Sequence, residues 1–277
     1  MEHAAHATAQ RLVNHLVLLH SGLATERFSH DFGGIMIAVA RKVAAVKSYC
    51  AFLLDHGDIV TDPTGGIWFV EITTNKIGRV STSGVITEYD APASSNVQGL
   101  TVGADGNLWF TAFGTKKIVR MATDGTYVEF PTGGTVGPKS IAAGPDGNVW
   151  FTEYSGNSVA KMTPAGVVTR YSVPGGPFGI TAGPDGNMWM ALRDSGQVGQ
   201  ITTSGVLTSY ALPTAGSWPF FLAVAPDGNL WFTEYNAGNI GRIATGTGSF
   251  LSGATIDGTP AVGTALTCTA STTPWAG

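Results

Sequence analysis

Along residues 57–250 apolar and polar positions alternate in short runs, and the runs return at a regular period. In "VWFTEY" the alternation puts Val149, Phe151 and Glu153 on one face and Trp150, Thr152 and Tyr154 on the other. Large apolar side chains on both faces predict a sheet that is covered on both sides. Aligned on Trp68, Trp109, Trp150, Trp189 and Trp231, the copies are spaced by 41, 41, 39 and 42 residues. They read "PTGGIWFVE", "GADGNLWFTA", "GPDGNVWFTE", "GPDGNMWMAL" and "APDGNLWFTE". Five copies at that period mark a repeat protein.

Each copy divides into four extended runs. In the third they are "SIAAG", "VWFTEY", "SVAKMT" and "VVTRYSV", with turns at "PDGN" and "PAG". Asp-Gly suits a tight hairpin, because Gly147 can take the positive φ that other residues resist. Four strands per period of roughly 40 residues predict an all-β fold, a β-propeller of about five recognisable four-stranded blades. Burial between blades contributes about 2–3 kcal/mol for each large aromatic side chain. The Trp-Phe pairs and Asp-Gly-Asn turns are therefore read as architecture. A calcium loop would need further carboxylates, which these turns lack.

The repeat stops at both ends. Residues 1–56 hold no copy. Within them Ile35, Val39, Val43, Val46, Cys50 and Leu53 recur at helical spacing. Two readings stay open for this atypical N-terminal segment: a helical extension, or a non-native start such as a shifted reading frame. The abruptness of the switch favours the second. Residues 251–277 turn Gly/Thr-rich and resemble the opening strands of an immunoglobulin-like repeat of bacterial surface proteins. The expectation is a fragment of a longer, secreted or envelope-associated protein.

Composition narrows the function classes. The chain has 277 residues, 43% of them hydrophobic and 12% charged, with 38 glycines and 14 prolines, a turn-rich β profile. A net charge of −4 argues against nucleic acid as a partner. The most apolar run, residues 35–54, carries Arg41, Lys42 and Lys47, too many charges for a membrane span. No signal peptide is recognisable, since His15 and His20 interrupt the N-terminal apolar stretch. Cys50 and Cys268 stand alone, without zinc-site spacing.

The motifs "WFTE", "NKIGRV", "TSGVITEYDAP" and "GPFGITAGPDGN" resemble the virginiamycin B lyase (streptogramin B lyase) family over about residues 57–247. That resemblance implies a propeller, seven-bladed in the family, that linearises a cyclic depsipeptide antibiotic by elimination at an ester. It further implies a magnesium ion held with carboxylates, and a histidine base in the pattern Pro-His-(Gly/Ala)-Ile entering a blade's innermost strand. Imidazole suits removal of a proton α to a carbonyl near neutral pH, and a metal stabilises the developing charge.

Carried onto this chain, the histidine position holds Gln98, Lys139, Phe178 and Phe220, and no histidine follows His56. The carboxylate position two residues earlier holds Asn96, Gly137, Gly176 and Trp218. A later carboxylate, three residues after the tryptophan, persists as Glu71, Glu153 and Glu234, replaced by Ala112 and Leu192 in the other copies. Glu153 and Glu234 are the metal-ligand candidates, against a plainer role as polar strand-end residues. "DHGDI" around His56 echoes the histidine pattern out of register. The site candidates are thus Gln98, Lys139, Phe178, Trp218 and Phe220, an aromatic group with one cation and one amide. They suit a small-molecule or peptide ligand. The competing expectation is that the phenylalanines only pack between blades and that Lys139 and Gln98 are solvated. No catalytic residue is assigned, and no cofactor is expected unless the lyase reading holds, which would bring magnesium.

Overall fold

The computed structural model describes residues 58–251, 254–257 and 267–270, with side chains through residue 249. The N-terminal segment, its apolar stripe and His56 lie outside the described residues. Among the described residues the structure is all-β, with a single short 3-10 turn at Tyr154–Gly156 and no helix long and apolar enough to cross a membrane.

Five antiparallel four-stranded sheets follow one another in the chain, the blades of a propeller fold. The first contains β1 (Ile59–Thr61), β2 (Ile67–Glu71), β3 (Lys76–Val80) and β4 (Ile86–Asp90). The second contains β5 (Val97–Val102), β6 (Leu108–Ala112), β7 (Lys117–Met121) and β8 (Tyr127–Pro131). The third contains β9 (Ile141–Ala143), β10 (Val149–Glu153), β11 (Ser158–Met162) and β12 (Val168–Ser172). The fourth contains β13 (Pro177–Ala182), β14 (Met188–Leu192), β15 (Gln197–Ile201) and β16 (Leu207–Ala211). The fifth contains β17 (Pro219–Val224), β18 (Asn229–Glu234), β19 (Asn239–Ala244) and β20 (Phe250–Leu251). A further two-stranded sheet pairs β21 (Ala254–Asp257) with β22 (Thr267–Ala270). The first sheet belongs to one compact unit and the other four to a second, over Ser94–Thr255.

Within the first unit, Ile67, Phe69 and Val80 form a small core with Ile59 and Ile86. Within the second, the two faces of each central strand serve different neighbours, as the alternation predicts. Val149 and Phe151 pack with Trp109 and Ile118 of the preceding sheet, while Trp150 packs with Met188, Met190 and Leu192 of the next. The first strands of successive sheets lie side by side and are the inner strands of this unit.

The repeated turn does more than reverse the chain. Gly147 takes a φ of 75°, as the Asp-Gly pattern requires. Asp146 then accepts a hydrogen bond from Trp150 Nε1 at 3.1 Å, which satisfies the buried indole donor. Asp62, Asp105 and Asp185 do the same for Trp68, Trp109 and Trp189. Above the indoles of Trp68, Trp109, Trp150 and Trp189 lies an aromatic ring from the fourth strand, for example Tyr171 stacked on Trp150 at 5.7 Å. A cation from the third strand faces the same ring in most blades: Arg79, Arg120, Lys161 and Arg242 sit 5.3–5.6 Å from their tryptophans. Burial alone would raise the pKa of Asp105, Asp146 and Asp185. Hydrogen bonds from the neighbouring asparagine and the indole outweigh it and hold all three carboxyls below their ordinary value.

A second device joins inner strands to central ones. Thr152 Oγ1 accepts from the backbone N–H of Ser140 at 3.1 Å and donates to the carbonyl of Phe178 in the next blade at 2.7 Å. Thr111 repeats this, accepting from Gly99 N and donating to the Lys139 carbonyl. The threonine of "WFT" is thus a latch between blades.

Candidate functional site

Three of the five candidate side chains stand where the inner strands break register. Pairing shifts between Val97 and Leu100, between Pro177 and Ile180, and between Pro219 and Leu222. Gln98, Phe178 and Phe220 fall inside those irregularities. A bulge turns a side chain away from the sheet's alternating faces, which is why bulges often border binding sites. Gly179, the residue after Phe178, is needed for close approach: a Cβ there would meet the Phe220 carbonyl oxygen at 2.6 Å.

The second unit brings all five candidates into one continuous cluster. Lys139 Nζ donates to Gln98 Oε1 at 2.7 Å and lies 5.3 Å from the Phe178 ring centroid. Phe178 and Phe220 contact each other with centroids 4.0 Å apart. Lys139 and Gln98 are half-buried. They pair across 41 positions of sequence because stacked repeats align equivalent connections. Trp218 joins through Arg193, whose guanidinium carbon sits 4.5 Å from the indole and 5.3 Å from the Phe220 ring. Phe178 is buried, whereas Trp218 and Phe221 are each 38% exposed. The cluster therefore has a buried floor and an exposed aromatic rim.

Trp218 adopts a φ of +51°. For a bulky side chain this left-handed conformation costs on the order of 1–3 kcal/mol, and the surroundings must hold it. They do so with main-chain bonds from Tyr235 N to Trp218 O and from Asn236 N to Ser217 O, both 3.0 Å. The strain presents the ring to solvent and to Arg193.

Four cluster members were absent from the candidate set: Phe113, Tyr154, Arg193 and Tyr235. Each follows its blade tryptophan by four positions, a register that would have found them. Arg193 Nη1 donates to the Tyr154 hydroxyl at 2.6 Å, and that hydroxyl donates to Asp194 at 3.0 Å. Burial, the bond to Asp194 and its charge push the Tyr154 phenol above its ordinary pKa, against the pull of Arg193. It stays protonated. Tyr235 lies 5.2 Å from Phe220, and Lys139 also faces the Phe113 ring at 5.7 Å.

The glutamates tell a different story. Glu153 is buried, with Arg170 Nε 2.9 Å from Oε2 and Nη2 3.1 Å from Oε1, and it also accepts from the Ser158 hydroxyl. Arg170 in turn reaches the Thr132 carbonyl. A carboxylate neutralised on both oxygens is a polar strand-end anchor and offers little to a metal. Glu234 is buried at the end of β18, opposite Pro219. Among the described residues no three His, Cys, Asp or Glu side chains are grouped to hold a metal ion. The donor set of the described residues does not fit the magnesium centre that the resemblance implies.

The virginiamycin B lyase family model matches residues 91–269. Among solved structures, the chain is 34% identical to a selenomethionine-substituted virginiamycin B lyase from Staphylococcus aureus, with a TM-score of 0.65, covering 68% of this chain and 66% of that one. A structure described as streptogramin B lyase is also 34% identical, with a TM-score of 0.66 and coverage of 69% and 66%. A catalytically inactive histidine-to-alanine variant of the S. aureus lyase, solved with quinupristin, is 32% identical, with a TM-score of 0.66 and coverage of 72% and 73%. The chain thus spans about two thirds of the length of the first two, just under that mark at 66%. No curated protein sequence matches the chain.

Proposed function

The chain belongs to the virginiamycin B lyase family, and from that premise we propose that it is a non-catalytic member that binds a ligand at its inner-strand cluster. One observation carries this reading. The positions that would hold the base, Gln98, Lys139, Phe178 and Phe220, are filled by mutually packed side chains, none of which is an imidazole. Losing a general base costs roughly 10²–10⁴ in rate. A partly exposed aromatic surface with a few convergent polar groups is suited to binding a small molecule or a peptide. The competing reading is a magnesium-dependent carbon–oxygen lyase acting on a streptogramin B antibiotic. It draws on the 34% identity to the lyases.

Incubation of the purified chain with quinupristin separates the two, with magnesium or with chelator, followed by mass spectrometry and by titration of tryptophan fluorescence. The expected result is saturable quenching with no linear product. Magnesium-dependent linearisation would overturn the non-catalytic reading.

A further inference from the structure

The cluster's charge is as informative as its rings. Two cations border the Phe178–Phe220 pair, Lys139 against Phe178 and Arg193 against Phe220. Beside Arg193 lies Asp194, 3.9 Å away, 49% exposed and already bonded to the Tyr154 hydroxyl. At Trp68, Trp109 and Trp150 the cation over the indole is balanced by the turn aspartate that also accepts from that indole, as with Arg79, Asp62 and Trp68. Arg242 over Trp231 instead pairs with Asp227 and leaves its own Nε and the indole N–H unpartnered. Arg193 lacks the balanced arrangement. Its Nη1 bonds to a phenol, and its Nε is buried without a hydrogen-bond partner. Ser217, buried beside Trp218, likewise has an unpartnered hydroxyl.

A guanidinium packed by Trp218, Phe220 and Tyr154 is partly stripped of water, which strengthens any charge-assisted bond it makes. Its side chain keeps 23% exposure, so an anion has an approach from solvent. The ring beside it, Trp218, is held exposed in a strained backbone conformation. Anion donor and stacking surface are therefore adjacent.

We infer that the cluster selects aromatic carboxylates, with Arg193 taking the carboxylate and Trp218 and Phe220 taking the ring. This rests on the binding reading above. Lys139, against the Phe178 ring, adds favourable potential without contacting the anion. The chemistry is shared by a free aryl acid and by a peptide ending in an aromatic residue.

The test titrates the full chain with N-acetylphenylalanine and with its amide, which keeps the ring and removes the charge, using quinupristin as a third probe. The acid is expected to bind about tenfold tighter than the amide or more, equivalent to about 1.4 kcal/mol. Arg193→Gln should erase that preference. Arg193→Lys, which keeps the charge and loses the planar fork, should retain part of it, and thermal melts establish that both variants are folded. A tripeptide ending in phenylalanine, compared with the acetylated amino acid, identifies the source; both orders of affinity uphold the class. Equal affinity for acid and amide, or a preference that survives in Arg193→Gln, overturns the inference. If that happens while quinupristin binds, the binding reading stands alone; if no probe binds, both fall.

Discussion

The tryptophan ladder between blades and the cluster at the inner strands use the same parts to different ends. In the ladder, the indoles of Trp109, Trp150 and Trp189 are at most 1% exposed and each is bonded to a turn aspartate. At the inner strands, Trp218 is 38% exposed, and Arg193 is stacked on it with an unpartnered Nε. A cation over an indole thus stabilises the fold where its charge and the indole N–H are both met internally. Arg242 over Trp231 also keeps an unpartnered Nε, but its side chain is only 13% exposed, whereas Arg193 at 23% lies beside an exposed ring where a group from solvent can reach it. The same contrast separates the glutamates from the cluster: Glu153 is closed by Arg170 and Ser158, so its conspicuous recurrence belongs to structure.

The comparison can be broken in four ways, from the largest effect on stability to the smallest. Trp150→Ala should cost about 3–5 kcal/mol, because it empties a site between two sheets and removes one of the donors to Asp146; denaturant unfolding measures it, and a loss under about 1 kcal/mol would deny the ladder its role. Thr152→Val should cost about 1–3 kcal/mol by leaving the Ser140 N–H and the Phe178 carbonyl unpaired. Thr152→Ser, which keeps the hydroxyl, should recover most of it.

Acid should weaken the ladder next. The folded-state pKa values of Asp105, Asp146 and Asp185 lie below their ordinary 3.8. These carboxylates therefore contribute stability that is full above the unfolded value and is lost as pH falls through the depressed folded ones. Thermal melts between pH 5 and pH 2, as a rough window, should show a falling midpoint, with a shallower fall in Asp146→Asn than in the parent chain. Trp218→Gly should move stability by less than about 1 kcal/mol, since glycine relieves the positive φ as the ring's contacts are lost. Binding at the cluster should nevertheless weaken measurably in that variant. A large loss of stability with unchanged binding would place Trp218 in the ladder's class.

Much of this was legible without coordinates. The period located every blade, and the alternation in "VWFTEY" assigned Val149 and Phe151 to one neighbour and Trp150 to the other. Asp-Gly predicted the positive φ of Gly147. Reading the connections by the family pattern picked out Gln98, Lys139, Phe178, Trp218 and Phe220, which do come together. Arg193 and Tyr154 carry no such mark, because the family's recurrent glutamate lies three places after the tryptophan, one place short of the register that lines the cluster. The indole-to-aspartate bond and the threonine latch are unmarked for another reason. Each appears in sequence as an ordinary turn or strand residue, and its partner is chosen by hydrogen-bond geometry.

What the sequence by itself determined is therefore periodic and local: strands, turns, which face each side chain takes, and the chemistry missing from the family's base positions. Those follow from alternation and from backbone preference over a few residues. The tertiary structure alone decided which residues from different repeats meet. Gln98 with Lys139 and Arg193 with Trp218 are joined because stacking aligns equivalent connections and because bulges at Gln98, Phe178 and Phe220 re-aim the side chains. It also decided which charges were left to answer a ligand, since satisfaction of a donor depends on every neighbour that packing brings to it.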